Sequence, residues 1–305
     1  MTHSTDFSIP SRLPDFIIIG AAKAGTTSLY RYLTRHPNIF MSEPKEPTYF
    51  ARDERFKRGE AWYLSLFQDA RSDQLCGEAS TNYTNWPLYP DTVTRMAKLA
   101  PAVKLIYLMR HPVNRAYSHY IQLIQNIRTD NPDYKFDTTF EEHIAADDSV
   151  IQSSNYMLQI NQYLTRYSRD QMLFLTFEAF IKDPQSALVQ IADFLEIDRG
   201  FDFIGTGEVK ENLNRDKESW LLRSRLTAPL KSIPGGRFIA DHLPQSARDQ
   251  IYSWLKHLPQ RKRIETEYIP PKMKQETRAK LLDYFKLPNA QLSEFLDRDL
   301  SIWQR

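Results

Sequence analysis

The sequence predicts an α/β fold: a central parallel sheet flanked by helices, with additional C-terminal helices. Three observations carry that prediction. Short apolar runs recur at Asp15–Gly20, Gln74–Gly77, Val103–Met109 and Met172–Phe177, all but the second rich in β-branched or aromatic residues. Between them lie segments whose apolar residues fall at helical spacing. Strands that alternate with helices pair in parallel through right-handed crossovers.

Each element has its own signal. A loose arm of residues 1–14 precedes the first strand. The first helix, Thr26–Arg35, ends at His36-Pro37, since the residue before a proline is driven out of the helical region. Residues Met41–Phe50 read as a proline-punctuated loop. Helices follow at Trp62–Phe67 and at Asp91–Leu99, the latter capped by Asp91. Beyond the third run come helices at Val113–Asn126, Phe140–Ala146, Asn155–Tyr167 and Pro184–Leu195, with a polar loop at Arg128–Asp137. The remainder is less regular: a polar stretch at Gly205–Asp216, a turn at Ile233–Arg237, and helices at Ser246–Leu255, Lys274–Phe285 and Asn289–Leu296. Residues 1–305 read as a single domain, with a core over 15–195 and a loop-rich, helical part over 196–305.

Composition narrows the function classes. With 305 residues, 41% of them hydrophobic, the chain builds a substantial core, and a net charge of +2 argues against disorder and against a general nucleic-acid binder. Cys76 is the lone cysteine, so no disulfide forms within the chain. A reducing, cytoplasmic setting with Cys76 as a buried strand thiol is expected. No apolar run reaches the length of a membrane span. The first ten residues lack the basic flank and apolar core of a secretory signal. His36, His143, His242 and His257 sit beside helix ends or in polar loops, and no His, Cys and acidic spacing suggests a metal site.

The densest signal is Ile17 to Ser28, Ile-Ile-Ile-Gly-Ala-Ala-Lys-Ala-Gly-Thr-Thr-Ser. A buried strand stops at Gly20, a small-residue turn follows, and a helix opens at Thr26. Backbone N–H groups of such a turn, with the helix dipole behind them, form an anion cradle. The sheet is therefore P-loop-like. A nucleotide-hydrolysing P-loop places its lysine straight after the second glycine. Here Thr26 follows Gly25, and the lysine stands two places earlier, at Lys23. A second cluster, Arg110-His111-Pro112-Val113-Asn114-Arg115-Ala116-Tyr117-Ser118-His119-Tyr120, begins at the end of the third run. Ligands of open α/β sheets bind at the carboxyl ends of strands, which directs Arg110 toward the same crevice as Lys23. Arg115 and Ser118 share one helical face, and an arginine fork with a hydroxyl suits a phosphate monoester.

Lys-Ala-Gly-Thr-Thr-Ser-Leu, from Lys23, closely resembles the 5′-phosphosulfate loop of sulfotransferases that use 3′-phosphoadenosine 5′-phosphosulfate, PAPS. The Ser-Leu ending is similar to the heparan sulfate sulfotransferase branch, in a bacterial-type soluble form. The Arg110–Tyr120 stretch resembles the family's 3′-phosphate motif at every fixed position. The resemblance implies a PAPS-dependent sulfotransferase that moves a sulfuryl group to an acceptor hydroxyl by in-line displacement. Residues Lys23, Ala24, Gly25, Thr26, Thr27 and Ser28 would cradle the donor, and Arg110 and Ser118 would grip its 3′-phosphate. Arg115 would serve structure by pairing with an acid behind the loop.

Pro44-Lys45-Glu46-Pro47-Thr48-Tyr49-Phe50 resembles the segment that carries the general base of the heparan-type enzymes, which points to Glu46 as base and Lys23 as stabiliser of the leaving group. The Gly77–Tyr83 segment resembles another of their motifs, but Ala79 stands where they carry lysine. Glu78 there is a rival base, or else a buried glutamate paired with an arginine. The expected acceptor is a carbohydrate or another small hydroxylated metabolite, with no metal and no nucleic acid; oligomeric state is left open. Two other readings stand beside this one: a P-loop kinase or NTPase, and a non-catalytic nucleotide-binding module.

Overall fold

A computed structural model describes residues 12–130, 138–205 and 271–305. Compactness divides the chain into two units, one of Met1–Tyr120, Thr138–Thr206 and Lys272–Arg305, the other of Ile121–Asp137 and Gly207–Pro271. The sheet and the candidate site belong to the first.

Five strands, β1 (Phe16–Gly20), β2 (Ile39–Met41), β3 (Leu75–Ala79), β4 (Lys104–Met109) and β5 (Met172–Thr176), form one sheet in the order β2-β3-β1-β4-β5. Every pairing is parallel. Buried on both faces, β1 reads Phe-Ile-Ile-Ile-Gly, a continuous apolar run with no polar alternation, as a parallel strand covered by helices should. The chain leaves β1 toward the β2 edge and returns on the other side at β4. The order therefore reverses beside β1, the place where open α/β sheets take their ligands.

The helices are α1 (Thr26–Thr34), α2 (Asp53–Phe56), α3 (Glu60–Ser65), α4 (Thr92–Leu99), α5 (Pro112–Asp130), α6 (Phe140–Ala146), α7 (Ser149–Gln152), α8 (Tyr156–Leu164), α9 (Phe177–Lys182), α10 (Pro184–Leu195) and α11 (Gln275–Leu296). Short 3₁₀ turns stand at Thr81–Thr84, Arg169–Gln171 and Ser301–Gln304. The four sequence-predicted strands are all present. The three-residue β2 lies where only the approach to a loop is expected. The turn at 233–237 and the helix at 246–255 fall outside the described residues.

Two differences have physical causes. Asp91 makes no side-chain cap on α4; its carboxylate instead accepts from Arg95 at 3.0 Å, one turn along. The two helices expected on either side of Pro288 are one, α11. Leu281, Phe285, Asn289 and Leu292 form a single buried stripe across the proline, so tertiary packing outweighs the one backbone hydrogen bond that proline removes.

Candidate active site

The loop after β1 is fixed by its own carbonyls. Ala21 O accepts from Ala24 N–H at 3.1 Å, Ala22 O from Arg115 Nε at 3.1 Å and Lys23 O from Arg110 Nη1 at 3.0 Å. With its carbonyls so engaged, the turn leads into α1, whose N-cap Gly25 supplies no side-chain hydrogen bond and whose first turn holds no acid. An uncapped N-terminus of this kind leaves backbone N–H groups open to an anion. Lys23 (φ 69°) and Gly25 (φ 91°) both adopt the left-handed region. At Gly25 the glycine is required, because a Cβ would stand 3.0 Å from the Phe177 ring. Ala24 and Thr26 are buried, Lys23 and Ser28 half-buried, and Thr27 is exposed.

Three cations gather at this loop. The Arg110 guanidinium lies 4.9 Å from the centre of the Phe177 ring, with its own carbonyl and amide both bonded to the Tyr156 hydroxyl. Glu178 fixes the next residue, accepting from His111 N–H at 2.9 Å, while its other oxygen takes Trp303 Nε1 at 3.1 Å. Arg115 is 0% exposed, yet its partners are not the expected acid. They are Ala22 O, Val150 O at 3.1 Å, the Ser153 and Ser154 hydroxyls at 2.8 and 2.7 Å, and His119 Nδ1. No carboxylate among the described residues forms an ion pair with it, and burial pushes its guanidinium pKa down. Burial, then the charges of Arg115 and Lys23, push His119 down to about 3, which places the Lys23 ammonium in the same positive neighbourhood. Ser118 is half-buried on α5.

A carboxylate emerges from the neighbouring strand ends. Glu46 follows β2, and its backbone N–H donates to Ala79 O at the end of β3, at 3.0 Å. Its side chain accepts from Lys45 Nζ at 2.8 Å and from Thr81 Oγ1 at 3.3 Å to each oxygen. Glu46 (φ 62°) and Thr48 (φ 53°) are left-handed, as Lys23 is. Non-glycine residues hold that conformation only where surrounding contacts over-determine it, and such residues cluster at functional sites.

Glu78 is buried, but no arginine among the described residues meets it. Oε1 accepts from Tyr63 and Tyr83 at 2.7 and 2.9 Å, and Oε2 from Ser80 at 2.8 Å. Burial pushes its pKa up to about 7 against the pull of those three hydroxyls. At 0% exposure its oxygens face the interior and not a ligand.

Sequence reasoning missed Thr81, Phe177 and the Arg115–His119 contact. Thr81 stands inside the singled-out Gly77–Tyr83 segment; nothing local marks Phe177, which reaches Gly25 from the start of α9. Among the described residues, no group of three His, Cys, Asp or Glu side chains could hold a metal ion, and no helix is long and apolar enough to cross a membrane.

The profile of the family described as "Sulfotransferase domain" matches residues 13–217. Human heparan sulfate glucosamine 3-O-sulfotransferase 3B1 is 33% identical over 192 residues, 62% of this chain and 47% of that protein. Human bifunctional heparan sulfate N-deacetylase/N-sulfotransferase 2 is 25% identical over 307 residues, 94% of this chain and 30% of that protein. The chain thus spans about half or less of the length of these curated relatives. The crystal structure of a sulfotransferase from Alicyclobacillus acidocaldarius superposes with a TM-score of 0.65 at 25% identity, covering 96% of this chain and 100% of that one. Sheet order, anion-binding loop and sequence agree: this chain belongs to the sulfotransferase family.

Proposed function

We propose that the chain transfers a sulfuryl group from PAPS to an acceptor hydroxyl and releases 3′-phosphoadenosine 5′-phosphate, PAP. The observation that carries this reading is Arg115, a guanidinium wholly buried behind the loop with no carboxylate among the described residues to balance it. A buried charge without a counter-ion is costly, and an anion seated in the cradle supplies the missing partner. The residues present fit a doubly phosphorylated donor: Lys23 to Ser28 form a cradle for its 5′ side, and Arg110 and Ser118 supply a fork and a hydroxyl for a 3′-phosphate.

Each side chain then has one task. Glu46 takes the acceptor proton as the new S–O bond forms and the S–O bond to the donor phosphate breaks, so the proton ends on the carboxylate and the electron pair on PAP. Lys23 donates to the oxygen that leaves, stabilising charge where it develops. Lys45, beside Glu46, orients an acceptor that carries an acidic group. The relatives' printed names point to a carbohydrate acceptor, and we assign that class here, with another small hydroxylated metabolite as the wider frame. Ala79 sets this chain apart from the heparan-type motif and argues for an acceptor less densely charged than heparan sulfate. We further assign the protein to the cytoplasm, a reading supported by the single cysteine of the chain. A kinase reading finds no lysine after Gly25, and β4 runs into Arg110 where a magnesium-binding acid would be needed.

Calorimetric titration with PAP, AMP and ATP–magnesium tests the donor. The expected result is preference for PAP, lost in Arg110→Ala; preference for ATP–magnesium, or no binding of any of the three, overturns the reading.

A further inference from the structure

The loop that carries Glu46 is held in an unfavourable shape. Glu46 and Thr48 are both left-handed within three residues, and Thr48 is β-branched, the residue type least suited to that region. Something outside the loop must impose the conformation. Three consecutive residues at the end of β3 do so. Ala79 O accepts from Glu46 N–H at 3.0 Å, Ser80 Oγ accepts from Thr48 N–H at 3.0 Å, and Thr81 Oγ1 donates to both Glu46 oxygens.

Of these, Ser80 depends on a further group. A hydroxyl has one proton and two lone pairs, and which of them faces Thr48 depends on where the proton goes. Glu78 Oε2 accepts that proton at 2.8 Å, which leaves a lone pair for Thr48 N–H. Glu78 is itself immobilised by Tyr63 from α3 and Tyr83 from the 3₁₀ turn, both on Oε1. Wholly buried, it touches neither donor nor acceptor.

We propose that Glu78 and Ser80 are positioning residues for Glu46: Glu78 orients the Ser80 hydroxyl, Ser80 holds Thr48 N–H, and the strained loop thereby presents the Glu46 carboxylate to the acceptor. The inference rests on the role of Glu46 as base given above. It adds a reason for a buried carboxylate that no cation among the described residues neutralises.

The test uses the full chain as wild type, Ser80→Ala and Glu78→Gln. Three quantities are read: PAP affinity by calorimetry, PAP released from PAPS with water as acceptor, and amide exchange of residues 44–52 by mass spectrometry. In that reaction water loses a proton to Glu46, its oxygen bonds to sulfur, the S–O bond to phosphate breaks, and sulfate and PAP leave. Both variants are expected to keep PAP affinity and the KM for PAPS within about twofold. Their kcat is expected to fall about tenfold to a hundredfold, the scale set by small misplacements of a catalytic group, with faster exchange in the loop. An unchanged kcat, or kcat and PAP affinity falling together, overturns the proposal. A wild type that binds PAP but turns over no PAPS removes Glu46 as base and overturns it too. A wild type that binds no PAP instead overturns the donor assignment.

Discussion

Arg115 Nη2 donates to His119 Nδ1 at 2.9 Å, one turn along α5, and the pair fixes its own charge states. A guanidinium always donates, so Nδ1 must carry a lone pair and the ring is neutral. Positive charge thus concentrates on Arg115, at the back of the anion loop, and is not shared with the imidazole.

His119 is therefore expected to stay neutral throughout the physiological range. Its pKa is depressed to about 3, so the native state binds fewer protons than the unfolded chain between that value and the ordinary one near 6.5. Stability then falls as pH drops through this window. Imidazole NMR of the native protein should show no His119 titration between about pH 5 and pH 8, the range where an unperturbed ring would charge. His119→Gln should flatten the acid limb of the stability curve.

Glu78 runs the other way. Its pKa is raised from 4.5 to about 7, chiefly by burial, with the Glu46 charge adding and Tyr63, Ser80 and Tyr83 opposing. The native state binds the extra proton in this window, so stability falls as pH rises from about 4.5 to about 7. The size of the effect is roughly 3 kcal/mol. Chemical denaturation of wild type and Glu78→Gln at pH 5 and pH 8 checks it; parallel curves for the two proteins would refute the assignment.

Gly25→Ala should damage the loop without touching the core. The new Cβ meets Phe177 at 3.0 Å in a left-handed conformation, a strain on the order of 1–3 kcal/mol. The expected result is a lower melting temperature together with PAP affinity reduced about tenfold, since about 1.4 kcal/mol of strain relieved away from the bound shape is one decade.

Glu46→Gln keeps the size and loses the carboxylate proposed as base. PAP binding should stay at the wild-type level while kcat falls by about 10²–10⁴, the range for one general base. Steady-state kinetics alongside calorimetry separate the two; an unaltered kcat would assign the proton to another group.

The sheet was readable because its strands are apolar runs, and a run such as Ile17–Ile19 has few other places to go. The loop proposed to hold the donor is local in sequence, Lys23 to Ser28 lying in one turn of chain. What escaped is non-local. Arg115 draws partners from residues 150, 153 and 154, and Glu78 draws one from position 63, and a valine carbonyl, serines or a tyrosine in those places carry no signal of their own. An arginine in such a motif suggests an acid nearby, and the structure answers with carbonyls and hydroxyls. Pro288 failed as a helix breaker for a related reason, the buried stripe of α11 being a tertiary fact that local propensity does not encode.

Cys76 gives this molecule a built-in reporter. It is the single thiol of the chain, fully buried on β3 between the β2 and β1 pairings, and burial pushes it up to about 11. A thiol reagent can reach it only when the sheet parts at the strand whose end anchors the Glu46 loop. The rate of labelling at low reagent thus times the opening of the sheet beside the Glu46 loop, with no engineered tag and no competing site.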